Sequence, residues 1–213
     1  QALAGLSPLD LPTDRPRPAL ASHEGGIVRF EVDAGIAQAL KALARRERAT
    51  TFMVLLAAFQ VLLHRYTGQE DIAVGVPIAG RSRPDLEPLI GFFVNTLVLR
   101  SRLTGEARSL TFRQLLDRVR QTALDAYANQ DVPFEMLVEE LHPERNLSHT
   151  PFFQVMFALQ NTPSAPARLP GLTLSQVQTH SGTATFDMTL VIGETPDGLA
   201  GAIEYDTDLF DAA

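Results

Sequence analysis

The chain has 213 residues, of which 45% are hydrophobic and 20% charged, a balance that excludes intrinsic disorder and collagen-like repeats and provides for one well-buried core. Eighteen Lys and Arg against 25 Asp and Glu leave a formal charge of −7, which argues against a phosphate-backbone partner and hence against nucleic acid. No cysteine is present, which removes disulfides, thiolate nucleophiles and zinc–thiolate sites together; no apolar run approaches the ~20 residues of a membrane span and no signal peptide opens the chain, so a cytoplasmic protein without membrane contact is expected.

The chain opens on Gln1 and closes as another element could begin, so it reads as a piece excised from a longer protein. Prolines in Leu11-Pro12-Thr13-Asp14-Arg15-Pro16-Arg17-Pro18 fix φ and push their neighbours extended, which makes residues 1–25 a connector arm lying along a surface. Ile27 to Val32 alternates as a strand does, and Asp33 is placed to cap a helix carrying Ile36, Leu40 and Leu43 on one face. Thr50 or Thr51 can cap the next helix, with Phe52, Leu55, Leu56, Phe59, Leu62, Leu63 and Tyr66 at helical spacing; Met53, Val54 and Val61 make its other side apolar too, so it is a central helix that Gly68 stops. Ile72 to Pro77 is a short apolar strand that Pro77 should terminate. A polar loop, Gly80 to Pro88, then leads into Ile90 to Arg100.

That segment reads as a strand buried on both faces, with Asn95 and Thr96 in its middle. An unpaired amide in an apolar interior costs about 1–3 kcal/mol, so this pair either bonds neighbouring backbone or faces a cavity through which a ligand passes. Thr111 and Gln114 form a capping box for a helix with Phe112, Leu115, Leu116, Val119, Ala123, Ala126 and Tyr127 inward and Arg113, Asp117, Arg118 and Arg120 wet. A second helix begins at Pro133 and ends at His142-Pro143. Gln130, Asp131, Pro133, Phe134 and Glu135 crowd polar groups at its start, where Asp131 can bond free first-turn N–H groups and Glu135 suits the helix dipole. Phe152–Leu159, Ala184–Ile192 and Leu199–Tyr205 are strand candidates, Leu172–Thr179 is a possible fourth, and Pro- and Ala-rich 161–170 reads as a mobile loop. Helices and strands interleave without βαβ regularity, so a mixed sheet is expected.

No phosphate loop, dinucleotide fingerprint, nucleophile elbow or metal-spaced His pair occurs, so neither a catalytic residue nor a metal site is assigned. His180 beside Ser181-Gly182 and the Ser148-His149 pair are the two histidine sites to inspect, although neither has an orienting carboxylate near it in sequence. Arg81 and Arg83 are either solvated or touch a substrate or partner.

Five segments in order resemble the second half of a condensation domain of nonribosomal peptide synthetases: Leu11 to Pro18; Val74-Gly75-Val76-Pro77-Ile78-Ala79-Gly80-Arg81; Ile90-Gly91-Phe92-Phe93-Val94-Asn95-Thr96; Asn129-Gln130-Asp131-Val132-Pro133-Phe134-Glu135; and Arg145 to Pro151 leading to Phe153-Gln154-Val155-Met156-Phe157. The resemblance implies an α/β (α+β) fold like chloramphenicol acetyltransferase, a mixed sheet flanked by helices, with residues 26–213 forming the C-terminal subdomain and a crossover near 161–170. It also implies a partner N-terminal subdomain across a substrate tunnel. Donor and acceptor carrier proteins would deliver thioesters there on phosphopantetheine arms beside an adenylation domain, and an amide bond would form; no cofactor is expected to be held by this chain. Candidate tunnel-lining residues are Arg81, Gly91, Phe93, Asn95 and Thr96, and the Gly80–Pro88 region would form part of the tunnel floor. The family's catalytic signature, His-His-x-x-x-Asp-Gly, lies in the other subdomain, and no adjacent His pair occurs here; the chain alone should therefore be inactive. Asn129 stands where the family often has His and is read as structural, and the stretch ending at Arg100 leans toward an L-configured donor. The alternatives are a non-catalytic module of the same fold that binds a carrier protein or tailoring enzyme, and a free-standing acyltransferase. The second is disfavoured because no His-x-x-x-Asp-Gly is present. A face left bare by the missing half should promote self-association.

Overall fold

A computed structural model describes residues 2–81, 83–104, 110–141, 150–160, 172 and 179–212. Their elements follow in the order β1 (Gly25–Asp33), α1 (Ala34–Arg46), α2 (Thr51–Thr67), β2 (Asp71–Ile78), a 3₁₀ turn at Pro84–Leu86, β3 (Asn95–Arg102), α3 (Phe112–Ala128), α4 (Phe134–Leu141), β4 (Val155–Gln160), β5 (Met188–Thr195) and β6 (Gly198–Asp206). The strands form one sheet in the order β1-β6-β5-β4-β2-β3. β4 pairs in parallel with β5 and β2, whereas β1–β6, β5–β6 and β2–β3 are antiparallel. The expected mixed sheet is therefore present, and no single helix among the described residues is long and apolar enough to cross a membrane.

Helix starts follow the capping chemistry of the sequence. Asp33 accepts from the Ile36 N–H at 3.0 Å, Thr50 accepts from Met53 N–H at 3.2 Å, and Thr111 and Gln114 bond each other's backbone as a capping box. α2 lies at the centre of the core, where Val54, Leu56 and Ala57 are fully enclosed and Phe59 packs on Phe157 at 6.0 Å between ring centroids. Ile36, Leu62 and Tyr66, expected inward, are exposed. Ile36 lies in the first turn of α1, whose buried positions are Ala37 and Ala44, while α2 buries the side centred on Met53, Leu56, Ala57, Gln60 and Leu63. In α3 Arg120, expected wet, is half-buried, with its Nε shielded from solvent and without a hydrogen-bond partner among the described residues.

Strand limits differ from the sequence reading where pairing decides them. Pro77 does not end β2 but sits inside it opposite Thr96. The polar backbone of β3's even-numbered residues faces its outer edge, since Arg100 O accepts from Thr122 and Arg102 O from Arg118. Pro77 accordingly turns its missing N–H away from β3, toward β4, with which β2 pairs only at Gly75–Met156. β3 starts at Asn95 rather than Ile90 because its last partner is Ile78; beyond it no strand among the described residues offers a ladder. Similarly Phe152 adopts φ 67°, which breaks the extended backbone before β4, and Ala184–Asp187 precede the first β4–β5 pair at Val155–Met188. Leu172–Thr179, 161–170, His142-Pro143 and Ser148-His149 lie outside the described residues, apart from Leu172 and Thr179, which belong to no named strand.

On the reverse face of the sheet a second cluster gathers Ala73, Val98 and Phe153 beneath Leu3, Leu6, Phe134, Phe152 and Phe186. Its closest contact uses Gly75, where a Cβ would come within 2.3 Å of the Phe153 ring; only glycine lets that ring lie flat on β2.

The extended N-terminal arm is bolted in rather than laid over the surface. Leu9 and Leu11 are buried in the core, Leu9 N–H donates to the enclosed Gln154 side chain at 2.6 Å, and Arg17 forms a two-point ion pair with buried Asp187. Asp14 and Arg15 clasp residues 207–211 at the other end of the chain.

Candidate functional site

The β2–β3 connection, residues 79–94, is irregular and yet internally cross-braced. Gly80 takes φ 62°, a left-handed conformation, and packs so closely on Phe93 that a Cβ would sit 1.7 Å from the Phe93 carbonyl oxygen. Arg81 donates to the carbonyls of Leu86 and Glu87, the latter at 3.2 Å, and its guanidinium stacks over the Phe93 ring at 4.3 Å. Gly91 lies against the same ring, and Arg83 pairs with Asp85 at 3.0 Å. Arg81, Gly91 and Phe93 thus meet as one bracket around the loop.

Asn95 closes that bracket onto another element. Its Nδ2 donates to the carbonyls of Gln130 at 2.9 Å and Val132 at 2.8 Å, while its Oδ1 accepts from Thr96 N–H at 2.8 Å and Phe134 N–H at 3.1 Å. All four hydrogen-bonding positions of the amide are filled, so of the two alternatives open to it, Asn95 takes the bonds to neighbouring backbone. It also supplies, from a distant strand, the acceptor that the start of α4 needs. The local pattern assigns that part to Asp131; Asp131 is exposed, and the first-turn N–H of Phe134 goes to Asn95 instead. Pro133 stands one position before α4 rather than within it, exposed as Glu135 is, while Phe134 packs edge-on against Phe152 and tilted against Phe153. Gln130 contributes its carbonyl, and Thr96 sits opposite Pro77.

What the bracket displays is apolar. Ile90 is fully exposed, Phe92 is 91% exposed, and Leu89 and Val94 are about half exposed. Val132 and Met136, on the stretch pinned by Asn95, are exposed as well. The sequence reading places Ile90–Val94 in the interior because hydrophobicity and burial normally coincide. The cross-braced loop thus holds an aromatic and a β-branched side chain outward, in solvent.

Other polar groups find partners within the fold. His180, partnerless in sequence, meets Glu204 of β6 at 3.3 Å from Nε2, while its Nδ1 accepts from Gly182 N–H at 3.1 Å. That carboxylate lies 24 residues away and no local pattern announces it. Arg100 pairs with Asp71 through two contacts at 2.7 and 2.6 Å; its hydrogen bonds hold the Asp71 carboxyl below the usual carboxylate range, and the same pair raises Arg100. Burial, reinforced by the nearby charges of Asp208 and Asp187, pushes Asp206 above its ordinary value. Among the described residues no group of three or more His, Asp or Glu could hold a metal ion.

A family model described as Condensation domain matches residues 1–213. A linear gramicidin synthase of Brevibacillus parabrevis is 53% identical over 214 residues, 99% of this chain and 3% of that protein. Phosphinothricin tripeptide synthetase PhsB of Streptomyces viridochromogenes is 44% identical over 213 residues, 98% of this chain and 18% of that protein. Among solved structures, the X-domain from teicoplanin biosynthesis superposes with a TM-score of 0.89 at 32% identity over 98% of this chain and 48% of its own. A four-domain nonribosomal peptide synthetase bound to AMP and glycine gives 0.87 at 27% identity, over 99% of this chain and 17% of that one. The chain therefore spans a small fraction of the curated relatives and about half of the X-domain chain.

Proposed function

We propose that this chain, which belongs to the condensation-domain family of nonribosomal peptide synthetases, is the C-terminal half of a two-part domain that joins a donor acyl or peptidyl thioester to an acceptor aminoacyl thioester. Its part is to complete the tunnel wall and floor opposite the half that carries the catalytic His-His-x-x-x-Asp-Gly; it binds no cofactor itself, the phosphopantetheine arms belonging to donor and acceptor carrier proteins. The observation that carries this reading is the loop of residues 80–94, braced from within by Gly80, Arg81, Phe93 and Asn95 while Ile90 and Phe92 stand in solvent. Such an arrangement spends rigidity on displaying apolar side chains, which suits a surface that the other half covers. Arg81, Gly91, Phe93, Asn95 and Thr96 then act on the tunnel by fixing that loop. The carrier and adenylation domains of a synthetase are the partners this reading requires.

The test is amide formation by the natural longer protein with carrier-bound thioesters. Ile90→Ser with Phe92→Ser should slow product formation at least about tenfold without lowering the melting temperature. Unchanged turnover would overturn the loop's role. A second reading, a non-catalytic module that docks a carrier protein or tailoring enzyme, is favoured by the likeness to the X-domain, whose solved complex is with OxyB. Reading the codons upstream of Gln1 for His-His-x-x-x-Asp-Gly separates the two: its presence supports catalysis, its absence supports docking.

A further inference from the structure

Phe152 holds φ at 67°, a region that a bulky side chain enters only under strain, and Phe153 N–H donates to the Pro151 carbonyl at 2.9 Å across it. A positive φ beneath a bond from one residue to the next but one makes residues 151–153 a γ-turn of the strained hand. The far side of the turn is anchored. The Phe153 ring lies on Gly75 of β2, the Thr150 hydroxyl donates to the Phe153 carbonyl, and Gln154 Nε2 donates to the Thr150 carbonyl at 3.1 Å. On its near side the Phe152 ring meets Phe134 edge-on, with 6.1 Å between centroids and 83° between planes, while Phe134 also tilts onto Phe153 at 5.7 Å. Phe134 is the first residue of α4, a helix in which no residue is buried, and its N–H is held by Asn95. The start of α4 is thus seated against a side chain whose own backbone is strained.

We infer that α4 and the 151–153 turn are one conformational device with two positions. With Phe134 seated, the edge-on contact offsets the strain and the turn stays left-handed; with α4 lifted, residue 152 relaxes to extended backbone and releases the Phe153 N–H. A contact on α4 is therefore felt in β4, an interior strand of the sheet, and the reverse holds to the same degree. Val132 and Met136 stand exposed beside this seat, so whatever covers them favours the seated helix and locks the turn. That the other half of the domain covers them rests on the proposed function; the coupling itself does not.

Residue-resolved hydrogen exchange on the full 213-residue chain tests it, with β1 and β6 amides as the measure of global stability. The natural longer protein replaces the chain if β6 is unprotected in the chain alone. Phe152→Ala keeps the backbone strain without the ring, and Phe134→Ala removes the ring's partner. Each should speed Phe153 N–H exchange about tenfold or more while β1 and β6 keep their rates. Phe152→Gly adopts the left-handed backbone freely, so it should leave Phe153 N–H slow and yet speed the α4 amides of Val138 to Leu141 by a similar factor. If β6 shows that Phe134→Ala does not fold, Phe134→Leu, which keeps bulk but no ring edge, serves in its place. A Phe153 N–H that stays slow in both ring-removing variants would show that Thr150 and Gln154 hold the turn alone. Amides of α4 indifferent to Phe152→Gly would show that the helix does not depend on the turn; either result overturns the inference. Neither reads amide formation, so a failure here and a failure of the proposed function are told apart.

Discussion

Replacing Asn95 by Ala removes four hydrogen bonds at once, those to the carbonyls of Gln130 and Val132 and those from the N–H groups of Thr96 and Phe134. At about 1 kcal/mol net each the loss would reach about 4 kcal/mol. Val132 is 40% exposed, however, and water can reach its carbonyl and the start of α4, so roughly half of that is expected, about 2 kcal/mol. For a domain of this length it corresponds to a fall in melting temperature of about 4–8 °C. Thermal and urea denaturation of the 213-residue chain measure it, and hydrogen exchange should localise the damage to 130–138 and 80–94. Asn95→Asp sharpens the test. It keeps the acceptor for Phe134 N–H but replaces a donor facing two carbonyls by a carboxylate, so it should be at least as destabilising at neutral pH and recover partly in acid, where a protonated carboxyl donates again. A loss below about 0.5 kcal/mol for Asn95→Ala, with α4 undisturbed, would refute the pin and return Asn95 to the surface of a ligand cavity.

Gly80→Ala should cost more than about 2 kcal/mol in equilibrium unfolding, because a left-handed φ alone costs an L-residue about 1–2 kcal/mol and the new Cβ would collide with the Phe93 carbonyl. The Asp71 carboxyl, held low by Arg100, contributes stability that is present above its unfolded pKa of about 3.9 and is lost as pH falls through the folded value; Asp71→Asn should therefore flatten the acid limb of the stability curve. Asp206 has the opposite sign: its contribution is full below the unfolded value and is lost as pH rises through the raised folded one, so Asp206→Asn should leave stability at pH 7 unchanged or higher while keeping the acceptor for Asp208 N–H. In the isolated chain, Ile90→Ser with Phe92→Ser should reduce binding of a hydrophobic dye and concentration-dependent association, checked by fluorescence and sedimentation, with the denaturation midpoint unmoved.

The elements most legible in the sequence are those whose signals are local. Asp33, Thr50 and Thr111 cap the helices they precede because a side-chain oxygen three residues before a free N–H needs nothing else. The alternating segment 27–32 falls within β1 because period two survives wherever one sheet face is buried, and the strand candidate 199–205 falls within β6. Partners distant in sequence are not legible. Asn95 with α4, Gln154 with Leu9, and His180 with Glu204 are separated by 35–39, 145 and 24 residues, and nothing in either member marks the other. Ile90–Val94 misleads for a different reason: Ile90, Phe92 and Val94 stand in solvent, and composition alone does not distinguish a residue covered by its own fold from one that the fold leaves exposed.

The N-terminal arm extends that distinction to a whole segment. Its prolines mark an extended chain correctly, but extension does not make a connector detachable. Leu9 and Leu11 lie in the main core, Gln154 is enclosed with its amide oxygen accepting from Leu9 N–H, and the Arg17–Asp187 pair is largely withdrawn from water. Removing residues 1–18 would leave the buried Gln154 amide oxygen without its donor and a buried carboxylate without its cation. Loss of one partner from a buried ion pair alone costs about 3–5 kcal/mol, and the vacated leucine sites add about 2–5 kcal/mol each. The sum rivals the entire stability of an ordinary domain. The arm therefore belongs to the folding unit, and deletion of residues 1–18 should yield protein without a cooperative thermal transition; a truncated chain that still melts cooperatively near the parent temperature would show that these buried contacts are dispensable.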